Sequence, residues 1–223
     1  MADFPPYIVP IGYYKNNEAT YLGTGFIVKN HLITAAHVVR DVFCSKPFAL
    51  INKKAFFIGP LNCKYFFNDL NEKTHYDFAV ISLSVDPFFN PKSNNEDFIV
   101  DSPLFLSDRL PLVGDKVINK FLLDKSDIYY YEEKDNEVCD FPYYLPEDKY
   151  SKWDNYFYIR HKGKITHGSS GSPVLIGNEV IGMVTNGLDE FSIEDYHLPS
   201  DYLFYCDCIQ MSLLKKIYPN LFE

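Results

Sequence analysis

Long apolar runs are missing from this 223-residue chain. No stretch approaches the roughly 18 consecutive apolar residues of a membrane span. The start, Met1-Ala2-Asp3-Phe4-Pro5-Pro6, lacks the charged-then-apolar layout of a secretory signal, so a soluble, cytoplasmic protein is expected. Basic residues are in the minority: 21 Lys and Arg face 30 Asp and Glu, a net charge of −9, and no basic cluster stands out. Such a chain repels phosphate backbones and anionic lipid, so neither nucleic acid nor a membrane is an expected partner. Cysteine is sparse and odd in number (Cys44, Cys63, Cys139, Cys206 and Cys208), which suits reduced thiols rather than a disulfide framework. Helical periodicity is confined to residues 209–217, and no internal repeat is visible.

What the chain has is a core and aromatic strand formers. Hydrophobic residues make up 47% and charged residues 23%, which excludes global disorder. Short runs of Val, Ile, Phe and Tyr, broken by Gly, Pro, Asn and Asp, predict strands over 7–11, 21–28, 32–34, 55–58, 77–83, 116–122, 156–160, 173–176, 179–185 and 202–207. Many short strands and one terminal helix imply an antiparallel barrel or sandwich. Residues 84–103, rich in Pro and Asn, read as a linker between two lobes. Residues 124–154, dense in Tyr, Asp, Glu and Lys, read as a surface insertion that partly packs on the second lobe and is a place for a regulatory partner.

Three local patterns carry the chemistry. Gly23-Thr24-Gly25-Phe26-Ile27-Val28 runs through a turn into Leu32-Ile33-Thr34-Ala35-Ala36-His37, which places His37 on a tight turn. In Tyr76-Asp77-Phe78-Ala79-Val80-Ile81 an acid opens a buried strand. In Gly168-Ser169-Ser170-Gly171-Ser172-Pro173-Val174 a serine sits in a glycine-flanked turn ahead of a strand. Each has an ordinary structural reading alone; together they supply a nucleophile, a base and an acid to orient that base.

The Thr-Ala-Ala-His stretch, the Asp-Phe-Ala-Val strand and the Gly-x-Ser-Gly-Ser-Pro turn resemble the chymotrypsin/trypsin-like serine peptidases, in that family's order. The separations, 40 residues from His37 to Asp77 and 93 from Asp77 to Ser170, suit a two-barrel peptidase. The resemblance implies an all-β fold of two six-stranded antiparallel barrels with a C-terminal helix. Residues 1–92 would carry His37 and Asp77, and residues 93–223 would carry Ser170. It also implies an endopeptidase acting on protein or peptide through an acyl-enzyme, with no cofactor and no metal. Ser170 is then the nucleophile, His37 the base and acid, and Asp77 the orienting group. The N–H groups of Gly168 and Ser170 form the oxyanion hole. Ile181-Gly182-Met183-Val184-Thr185-Asn186-Gly187 resembles the family's substrate-pairing strand, making Thr185 and Gly187 substrate-binding residues. In the family it resembles, the residue six before the nucleophile lies at the base of the pocket for the side chain preceding the cut; the resemblance implies that Lys164 takes that place, with His167 at the pocket mouth. An ammonium there favours an acidic substrate side chain.

Two departures stand out. Ser169 occupies the position where zymogens of this family place an Asp, and Met1 stands in place of an Ile-Val-Gly-Gly start. Activation by N-terminal cleavage is therefore not expected. An α/β-hydrolase is excluded, because Ser172 stands where its elbow needs Gly and the one His after Ser170 is His197. Two alternatives stay open: a non-catalytic peptide-binding module on the same fold, and a zinc site at Cys206-x-Cys208 with His197 or another Cys.

Overall fold

A computed structural model describes residues 4–16, 18–40, 45–67, 75–84, 98–123, 129–140, 154–161, 168–187 and 204–219. The first half forms β1 (Ile8–Lys15), β2 (Glu18–Val28), β3 (His31–Thr34), β4 (Pro47–Ile51), β5 (Lys54–Phe57), β6 (Cys63–Phe67) and β7 (Asp77–Ser82), with helix α1 (Ala36–Arg40) after β3. These seven strands make one sheet in the order β5-β4-β1-β2-β3-β7-β6. The second half forms β8 (Phe105–Leu106), β9 (Lys116–Leu123), β10 (Tyr129–Cys139), β11 (Tyr156–His161), β12 (Pro173–Ile176), β13 (Glu179–Gly187) and β14 (Phe204–Gln210), then helix α2 (Met211–Ile217). Its sheet runs β12-β9-β10-β11-β14-β13, and a β12–β13 ladder closes those six strands into a barrel, with β8 added in parallel on β13.

The all-β, two-lobed architecture is the expected one. The lobes differ in closure: the C-terminal six strands meet edge to edge, whereas among the described residues no ladder joins β5 to β6, so the N-terminal sheet is a half-barrel. Strand formation follows the apolar pattern. Ile8, Val9 and Ile11 of β1, and Phe78, Ala79 and Ile81 of β7, are fully buried. Each large side chain so buried contributes about 1.5–3 kcal/mol. One cluster runs through the N-terminal lobe into Leu122, Tyr156, Leu175 and Met183 and is capped by Met211 and Leu214 of α2, while a second fills the closed barrel around Phe157, Ile159, Val174 and Val184. The lobes thus share a core between them.

Several expectations need correcting. Within the expected insertion, Tyr129–Cys139 is β10, an integral barrel strand laddered to both β9 and β11. The surrounding residues 124–128, 141–150 and 151–153 lie outside the described ones, as do 85–97 of the expected linker, where the 92/93 division falls. Strands β4, β6 and β8 were not anticipated. The last strand continues to Gln210, so α2 starts at Met211 rather than 209. His37 sits in α1, a single helical turn, rather than in a tight turn. Among the described residues, no helix is long and apolar enough to cross a membrane.

Candidate active site

His37 and Asp77 meet at the rim of the N-terminal lobe. Ala35 and Ala36, both fully buried, leave room for α1 to start directly off β3, and Val38 and Val39 anchor it in the core. Asp77 opens β7 and is itself buried. Its carboxylate accepts two hydrogen bonds from the same residue: Oδ1 from the His37 backbone N–H at 3.0 Å, and Oδ2 from Nδ1 at 2.8 Å. A carboxylate only accepts, so Nδ1 carries the proton and Nε2 is left as the acceptor nitrogen. The ring is 34% exposed, open to an incoming group while its far side is held.

The Ser170 turn is seated against the other lobe by the Gly23-Thr24-Gly25 stretch. The Thr24 N–H donates to Ser170 O at 2.9 Å, and Thr24 Oγ1 donates to Gly168 O at 2.7 Å. Thr24 Oγ1 in turn accepts from the Leu122 N–H at 3.0 Å, and Thr24 O accepts from Thr34 Oγ1 at 2.8 Å. On its own side the turn is fixed by the Gly171 N–H donating to Val184 O at 2.8 Å and the Ser172 N–H donating to Ser169 O at 3.0 Å. Gly168 at φ +107° and Gly171 at φ +84° adopt the left-handed region that disfavours side chains. Among the described residues, no internal acceptor takes the N–H of Gly168 or of Ser170.

Gly171 is the tightest point of this seat. A Cβ there would lie 2.1 Å from Thr24 O and 2.3 Å from Thr34 Oγ1. Gly171→Ala is therefore expected to destabilise the fold by roughly 2–5 kcal/mol, from overpacking and left-handed strain combined. Urea unfolding measures this, and a loss below about 0.5 kcal/mol would contradict the packing described.

The Ser170 hydroxyl donates to Thr185 O at 3.4 Å, a long bond, and not to His37. Thr185 lies in β13, where the backbone of Asn186 and Gly187 pairs with Asp207 and Cys206 of β14. The Thr185 hydroxyl donates to Asp207 O at 3.2 Å. Burial pushes the Asp207 carboxyl up to about 7. Lys164, His167 and His197 lie outside the described residues. Cys206 and Cys208 point into the closed barrel, their sulfurs 3.8 Å apart, and burial raises both thiols. Among the described residues, no three His, Cys, Asp or Glu side chains converge as a metal site.

Some site residues carried no local signal. Thr24 was read only as part of a hairpin, and His75, Asn155 and Tyr156 were not singled out. His75 lies two positions before Asp77, with its Nδ1 2.8 Å from Tyr156 Oη. Burial is the main cause that lowers the His75 imidazole; His37 lowers it further, and Asp77 works against both.

The fold is that of the chymotrypsin-type serine proteases. Mouse neuropsin, a serine protease, superposes with a TM-score of 0.63 at 14% identity, over 98% of this chain and 95% of that one. An inactivated protease paralogue of the scabies mite gives 0.61 at 16% identity, over 97% and 93%. The Rv3671c protease of M. tuberculosis in its active form gives 0.54 at 15% identity, over 92% and 76%. No protein-family model matches the chain, and no curated protein matches it in sequence. A fold held by both a working protease and an inactivated paralogue leaves catalysis to be argued from the site.

Proposed function

We propose that this chain is a serine endopeptidase in which Ser170 attacks the scissile carbonyl, His37 takes and returns the proton, and Asp77 orients His37. The observation that carries this reading is the double hydrogen bond from His37 to the buried Asp77 carboxylate, which leaves Nε2 as a base. During attack the Ser170 proton passes to Nε2, and the imidazolium so formed is stabilised by Asp77. The N–H groups of Gly168 and Ser170 meet the oxyanion, and the left-handed Gly168 supports that role. The acyl-enzyme is then hydrolysed by water with His37 again as base. Substrate backbone pairs along Thr185 to Gly187 by strand addition.

The same reading places Lys164 at the base of the pocket and His167 at its mouth, so that acidic side chains precede the cut. A peptide library varied at that position is expected to favour Asp and Glu, and Lys164→Ala to lose the preference. A preference for Arg or Lys would exclude it.

A second reading, a catalytically silent peptide-binding module, draws on the Ser170 hydroxyl bonding Thr185 O rather than His37. At 3.4 Å that bond is weak, and hydrogen bonds of a resting active site commonly tighten only with substrate bound. Incubating a denatured-protein digest with wild type and with Ser170→Ala separates the two. New peptide termini are expected with wild type alone, whereas equal digests from both would leave the binding module.

A further inference from the structure

The two lobes share no strand, so a site split between them needs side-chain links that fix one lobe against the other. Thr24 is one such link, at the Ser170 turn. A second lies behind Asp77. Asn155 clamps the His75 backbone from both sides: the His75 N–H donates to Asn155 Oδ1 at 3.1 Å, and Asn155 Nδ2 donates to His75 O at 2.5 Å. The next residue, Tyr156, bonds the His75 ring at 2.8 Å and also hydrogen-bonds the Thr185 side chain. His75, Asn155, Tyr156 and Asp77 are all buried, so water does not compete for these bonds.

Thr185 Oγ1 has one hydrogen, which goes to Asp207 O, because a carbonyl only accepts. The Tyr156 hydroxyl lies between the Thr185 hydroxyl and the His75 ring, hydrogen-bonded to both. One phenol thereby joins the strand entry that carries Asp77 to the residue whose carbonyl holds the Ser170 hydroxyl.

We infer that Tyr156 is a positioning residue, a side-chain clamp that sets the distance between the Asp77–His37 pair of one lobe and Ser170 of the other. The inference rests on the serine peptidase reading above. It assigns Tyr156 no contact with substrate; its effect runs through His75 to Asp77 and through Thr185 to Ser170. A displacement on the order of 1 Å between reacting groups costs about a hundredfold in rate.

The test is the kinetics of Ser170 phosphonylation by an alkyl fluorophosphonate. The Ser170 oxygen forms a bond to phosphorus, fluoride leaves, and the serine proton is lost through His37. Tyr156→Phe keeps the ring and its packing but removes both hydrogen bonds. It is expected to lower the maximal labelling rate about ten- to a hundredfold, with the half-saturating probe concentration within about twofold of wild type. His75→Asn, which keeps an amide where Nδ1 was, is expected to retain labelling within about threefold, and His75→Ala to fall as Tyr156→Phe does. The His75 pair keeps the test open should Tyr156→Phe fold poorly. A Tyr156→Phe protein that melts earlier yet labels at the wild-type rate would make the residue merely structural and overturn the inference. Equal labelling by His75→Asn and His75→Ala would do the same. A wild type that neither labels nor cleaves would overturn the peptidase reading itself, and the clamp with it.

Discussion

Asp77→Asn is expected to lower turnover by up to about 10⁴ while leaving the fold intact. The magnitude is that of the serine-peptidase template, carried over to this chain because the bonding geometry matches it. Oδ1 accepts from the His37 backbone and Oδ2 from Nδ1. An amide replaces one acceptor by an NH₂ donor. The group facing Nδ1 then becomes a donor, or the backbone N–H loses its acceptor instead. In the first arrangement the imidazole must carry its proton on Nε2, where it can no longer accept one from Ser170. The imidazolium formed in the transition state also loses its anionic neighbour. Asn is nearly isosteric with Asp, and β7 is held by ladders to β3 and β6, so structure should persist. Peptide hydrolysis followed beside far-ultraviolet circular dichroism measures both parts. Turnover within tenfold of wild type would remove Asp77 from the mechanism.

Asp207→Asn is expected to stabilise the protein strongly at alkaline pH and hardly at all in acid. Burial pushes this carboxyl up to about 7, whereas an unfolded aspartate titrates near 3.9. Between those values the folded state holds a proton that the unfolded chain has released. Stability from this group is therefore present at low pH and lost as pH rises toward 7, above which both states are ionised. An asparagine cannot ionise and escapes that loss. The variant's advantage is expected to be near zero at pH 4 and to reach roughly 2–4 kcal/mol at pH 8. Urea denaturation of both proteins across that range reads it directly. A gap that does not change with pH would contradict the buried carboxyl.

Why some of this was readable in the sequence, and some not, comes down to range. His37, Asp77 and Ser170 sit in short local patterns whose backbone needs are written in adjacent residues: Ala35 and Ala36 where the helix starts, Gly168 and Gly171 around the serine. Strand β4 escaped because its hairpin turns on Asn52 and Lys53, both left-handed at φ +49° and +64°, where glycine is the usual signal. Strand β10 escaped because its outer face is charged. Glu137 pairs with Lys116 and with Arg160, and Glu132 pairs with Lys120 and Lys134, so barrel alternation is masked by ion pairs. The links that assemble the site join residues far apart in the chain. Thr24 reaches Gly168 across 144 positions, and His75 reaches Tyr156 across 81. No local pattern encodes such contacts, since each end is ordinary until the lobes meet. Lys164 and His167 were legible as candidates by their distance from Ser170, yet they lie outside the described residues.

In the proposed mechanism Ser170 is a nucleophile activated by His37. The most direct measurement of this is labelling of the folded protein with a fluorophosphonate, followed by mass spectrometry of the modified peptide, in wild type and in His37→Ala. A single adduct on Ser170 is expected in the wild type, and its loss in His37→Ala. The protein should react as the full chain in reducing buffer, since the described cysteines are free thiols. An unmodified Ser170 under these conditions, or labelling that is the same without His37, would contradict that mechanism.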